Sequence, residues 1–153
     1  MNLKFVTIAA AAISIASAAT IVAAASPSQK IAARQANFKV MGKSFKGIMD
    51  EMKKPAPDMA IVKTNAATLQ KATTHVSDFF PKGTGPETGV KTHALPVIWE
   101  RGADFRAAAG KLTAAAAAMN DAAKTGDSAK IKAAIPSLGG ACKGCHDTFK
   151  GRD

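Results

Sequence analysis

The sequence predicts an all-α protein: an antiparallel, left-handed four-helix bundle with a long loop between helices 2 and 3. Two observations carry this. Apolar residues recur at sevens through separate segments, with intermediate partners three or four residues on. A sustained heptad stripe marks helices packed at about 20° in a left-handed bundle. Nothing alternates apolar and polar with period two for long enough to be a strand.

The first segment carries Ile31, Phe38, Phe45 and Met52, with Met41 and Ile48 between them. The second opens at Asp58, an N-cap candidate after Pro55 and Pro57, because a short acidic side chain can accept the orphan amides of a first turn. Its stripe is Val62, Leu69 and Val76, with Ala66 and Ala72 or Thr73 filling in. The third runs Ile98, Phe105, Leu112, Met119, with Ala108 and Ala115. The fourth starts near Asp127, a second N-cap candidate, and runs Ile131, Ile135, Leu138, Cys142, Cys145, Phe149. Two connections are short. The third, 79–96, holds Pro81, Gly83, Gly85, Pro86, Gly89 and Pro96. Loops of that length inside a compact domain are uncommon and often functional. The many alanines at facing positions imply close helix approach or a large non-protein group filling the space.

A chain of 153 residues with 47% hydrophobic and 21% charged residues is one ordinary globular domain rather than a disordered chain. Two cysteines exclude a disulfide-dense scaffold. A polytopic membrane protein is excluded too, since only the N-terminus is apolar for about 20 residues. That N-terminus reads as a secretory signal peptide over residues 1–25. Lys4 gives the positive start, Phe5 to Val22 the apolar region, and Ala23-Ala24-Ala25 the cleavage site. Cleavage is expected after Ala25, with Ala18 as the other site and an uncleaved anchor as the alternative. Residues 26–153 then form the domain, with no membrane span after cleavage.

Export changes the meaning of a +10 net charge. The lysines are scattered and aromatics are few, which argues against nucleic acid. A solvated lysine-rich surface, or docking on an acidic partner, remains.

Cys142-Lys143-Gly144-Cys145-His146 is a C-x-x-C-H sequence, the attachment motif of haem c. Two thiols three apart on a helix lie on one side and can reach the two vinyl groups of one haem. The following imidazole can then point at the iron. A redox C-x-x-C pair would want a βαβ setting. A zinc site would need a fourth ligand, for which only His75 and His93 remain. Both histidines read more simply as surface residues, and Trp99 as core. No acid–base pair or nucleophile suggests an enzyme.

A C-terminal C-x-x-C-H on the last helix of an exported bundle resembles the class II cytochromes c, above all cytochrome c′. The matching residues are Arg34, Gln35, Phe38 and Lys39 in the first helix and Leu95, Pro96, Ile98 and Trp99 opening the third. In the fourth they are Cys142, Cys145, His146, Asp147, Phe149 and Lys150. The resemblance implies thioether attachment at Cys142 and Cys145 and a proximal iron ligand at His146. It places Arg34 and Gln35 near the haem edge and propionates, where an Arg can bind a carboxylate with two parallel hydrogen bonds. It also implies that Glu87 and Thr88 line the haem edge and that Lys150 lies near the proximal face.

Low-spin members of that group place a methionine where this chain has Phe38, which cannot ligate iron. The resemblance therefore implies a five-coordinate, high-spin iron under an apolar cover with no donor for bound oxygen. Met41, one turn further along, is the other candidate for a sixth ligand. The implied function is a periplasmic, redox-active haem c protein binding nitric oxide and carbon monoxide. The alternative is a low-spin periplasmic electron carrier serving periplasmic redox proteins. Relatives also imply a homodimer through the first two helices, although Lys39, Lys43, Lys46, Lys53 and Lys54 weigh against close pairing there.

Overall fold

The computed structural model describes residues 25–152. Apart from Ala25, the expected signal peptide lies outside them.

Helix α1 spans Pro27–Met52. It starts where Ser26 accepts from the Gln29 amide while the Gln29 side chain accepts from the Ser26 amide. This reciprocal box satisfies two otherwise orphaned donors. Helix α2, Met59–Thr73, starts at Asp58, whose carboxylate accepts from the Ala60 and Ile61 amides as expected. The turn between them is closed by Glu51. Its carboxylate accepts from the Asp58 amide at 3.1 Å and from Lys54 Nζ at 2.6 Å. Gly47 permits the close α1–α2 approach, since a Cβ there would stand 2.7 Å from Asn65 Nδ2.

Val76 continues the stripe of α2 but lies beyond its end, in a 3-10 turn at Val76–Phe79. The third bundle helix is in two pieces, α3 at Val97–Glu100 and α4 at Gly102–Thr125. The break falls at Arg101, whose backbone (φ −114°, ψ 50°) is not helical. Both pieces keep the stripe, so Ile98, Phe105, Leu112 and Met119 are all buried. Gly126, at φ +72°, ends α4 in the left-handed conformation that suits glycine. Asp127 then caps α5, Ser128–Phe149, by accepting from Ala129 and Lys130. Pro136 sits inside α5 without ending it.

Helices α1 and α2 pack together, as do α2 and α4, and α4 and α5. Two polar pairs fix the α2–α4 register: Asn120 Nδ2 donates to Gln70 Oε1, and Thr113 Oγ1 donates to the Thr73 carbonyl. Helices α1 and α5 meet sparsely. A bundle whose fourth seam is left open has a cavity there, between the helix bearing Phe38 and the helix bearing Cys142. No helix among the described residues is long and apolar enough to cross a membrane.

Candidate haem site

The open seam holds a cavity of about 730 Å³, within the range of cofactor pockets. From α5 it is lined by Leu138, Cys142, Cys145, His146 and Phe149, and from α1 by Arg34, Gln35, Phe38, Lys39, Met41 and Phe45. Helix α2, the long loop, α3 and α4 complete the wall with Leu69, Phe80, Ile98, Phe105 and Leu112. The wall is mostly apolar because these are the inner stripe positions of each helix. Its polar residues include Lys39, Lys91 and Lys150, all solvent-exposed. No Asp or Glu is among the described residues lining it.

Cys142 and Cys145 are half-buried. Burial pushes both thiols up, with Cys142 adding to the rise at Cys145. Un-ionised thiols at neutral pH are poor partners for disulfide exchange. His146 is lowered, first by burial and then by Lys150, against an opposing effect of Asp147. A lowered pKa favours the neutral imidazole, the form that ligates metals. Among the described residues, no group of three or more His, Cys, Asp or Glu could hold a bare metal ion.

Arg34 is the pivot between α1 and the long loop. It is 2% exposed. Its guanidinium donates to the Thr84 carbonyl at 3.0 Å and to Thr92 Oγ1 at 2.9 Å, and stands 4.5 Å over the Phe80 ring. Burial lowers its pKa and the Glu87 charge raises it. Gln35 Nε2 donates to the Lys91 carbonyl at 2.9 Å. Glu87 and Thr88 do not line the cavity. They build the turn beneath Arg34: Glu87 Oε1 accepts from the Gly85 amide, and Thr88 Oγ1 donates to the Gly85 carbonyl.

Sequence reasoning missed Phe80 and Thr84. Phe80 lines the cavity, and its carbonyl and that of Pro81 both accept from the Trp99 indole N–H at 3.1 Å. Thr84 is 1% exposed. Neither lies on a helical stripe, so no periodicity marks them.

The residues present fit a haem. Two thiols on one helix could take two thioether bonds, the neighbouring imidazole could ligate iron, the apolar rings of the wall would suit a macrocycle, and the lining cations would suit its propionates. Fold and site together define a bundle-type c cytochrome.

The comparisons agree. The family model for cytochrome c′ matches residues 29–150. Cytochrome c′ of Rubrivivax gelatinosus is 38% identical over 125 residues, covering 81% of this chain and 95% of that one. The crystal structure of cytochrome c′ from Thermochromatium tepidum superposes with a TM-score of 0.80 at 27% identity, covering 85% of this chain and all of the other. A nitric oxide complex of a cytochrome c prime variant from Alcaligenes xylosoxidans gives a TM-score of 0.75 at 28% identity, covering 84% and 98%. The chain belongs to the cytochrome c′ family, and its cofactor is covalently attached haem c.

Proposed function

We propose that this protein is a periplasmic haem c protein with five-coordinate iron that binds nitric oxide and carbon monoxide. Cys142 and Cys145 would hold the haem through thioethers, His146 would ligate its iron, and Phe38 would cover the iron from the α1 wall. The observation that supports this most is that all four residues line one cavity. Similar proteins have been solved with nitric oxide and with carbon monoxide bound.

The haem supplies an iron that binds diatomic ligands and changes oxidation state. The protein supplies the rest. His146 would hold the iron, and partial burial and then Lys150 lower its pKa, which favours the neutral, ligating imidazole. Phe38, Met41 and Phe45 form the apolar part of the α1 wall and carry no side-chain N–H or O–H, whereas Arg34, Gln35 and Lys39 line the same cavity with donors. A ligand held against those three apolar side chains would find no hydrogen-bond donor in them, whereas nitric oxide and carbon monoxide do not depend on one. Arg34 and Gln35 fasten the loop beside the cavity and offer cationic and amide donors for propionates. The role is binding and electron carriage rather than turnover of a substrate. An N-terminal signal peptide ending at Ala25 would leave Ser26 as the first residue, already in place as the cap of α1. A similar cytochrome c′ is described with ligand-controlled dimer dissociation, and reversible dimerisation is part of this reading.

Met41 supports the second reading. It is buried and lines the same cavity, so a thioether is within the wall if the iron is six-coordinate. Haem staining of a denaturing gel tests the attachment. The parent should keep its haem through denaturation, and the Cys142→Ala, Cys145→Ala double variant should lose it. Haem retained by the double variant would contradict the assignment.

A further inference from the structure

We propose that Phe80 is a specificity-determining residue: its ring backs Phe38 and limits the room a small ligand can gain at the α1 wall. This rests on the reading of Phe38 as the cover of the iron. The supporting geometry is a cluster around Phe80. Its ring centroid lies 6.1 Å from that of Phe38, with the planes at 71°. It lies 4.7 Å from Phe105 and 6.2 Å from Trp99. The Arg34 guanidinium covers one face at 4.5 Å. The backbone is held as well, because the Trp99 indole N–H donates to the Phe80 carbonyl.

The consequence is mechanical. Phe38 sits on a helix, where an aromatic side chain has few allowed rotamers. A ligand entering beneath it must push the ring aside, and Phe80 stands edge-on in contact with it. Phe80 in turn is held by Phe105, Trp99 and Arg34. The α1 wall is therefore a two-ring device whose second ring comes from the long loop. That also gives Arg34 a positioning role: it holds Phe80, which holds Phe38.

The test uses four holoproteins: the parent, Phe80→Leu, Phe38→Ala and the double variant. Carbon monoxide association after flash photolysis is the first readout. Phe80→Leu should speed association by up to about tenfold in the parent and have little effect once Phe38 is Ala. The second readout needs no gas. Losses in unfolding stability for the two single variants should be less than additive in the double variant, since each removes the same ring contact. Should Phe80→Leu fail to fold, Trp99→Phe keeps the ring but removes the N–H that holds its backbone, and should give a smaller rise in rate. A rate unchanged by these substitutions, or raised equally with and without Phe38, would overturn the proposal. A Phe38→Ala rate equal to the parent's would overturn the cover reading itself, and this proposal with it.

Discussion

Arg34 donates to the carbonyl of Thr84 at 3.0 Å, and both residues are almost wholly buried. One bond thus joins the first helix to the middle of the long loop, fifty residues on in sequence. The same guanidinium reaches Thr92 and lies over Phe80, two loop residues that line the cavity, so it also ties that part of the loop to the cavity wall.

Arg34→Lys should therefore not be conservative. An ammonium cannot reproduce a planar fork that serves two acceptors and stacks on a ring. A buried carbonyl left without its partner costs about 1–3 kcal/mol. Denaturant unfolding of the holoprotein should show a loss of that order, with the slope unchanged.

Glu51 predicts a pH dependence. The Lys54 ammonium, then the Asp58 amide, hold its carboxyl below the usual range. A lowered folded-state pKa adds stability above the unfolded value, and the gain disappears as pH falls through the folded value. Glu51→Gln should be less stable than the parent above about pH 5. The gap should close as the solution is acidified below the ordinary carboxylate range. Unfolding midpoints measured across pH 3–7 check this.

Asp127→Ala removes the carboxylate that caps the helix bearing the haem motif. Loss of such a cap costs about 0.5–2 kcal/mol. The cap lies at the far end of α5 from Cys142, so the visible spectrum should be unchanged while the thermal midpoint falls.

The bundle was legible in the sequence because heptad stripes are a property of the chain's own periodicity. Ile48, Val62, Leu69, Met119, Ile131 and Leu138 were all on those stripes and all are buried. Asp58 and Asp127 were readable as caps because capping is local chemistry. The C-x-x-C-H motif was readable for the same reason. What was not readable is long-range and aperiodic. Nothing in the spacing of Phe80, Thr84, Thr92 and Trp99 says that they converge on Arg34, because a loop's tertiary partners leave no repeat in the sequence. The break at Arg101 was hidden too, since the apolar stripe runs on from Ile98 to Phe105 across it.

Phe38→Met places a thioether at the α1 wall of the cavity. It should convert a high-spin absorption spectrum towards a low-spin one. Met41→Leu, beside it on the same wall, should leave the parent spectrum as it is.

The most direct test is the absorption spectrum of the purified holoprotein, ferric and ferrous, before and after nitric oxide. A broad high-spin ferrous spectrum that shifts when nitric oxide is added is expected. A sharp low-spin spectrum that ignores nitric oxide would contradict it, and would make Met41 the sixth ligand of an electron carrier.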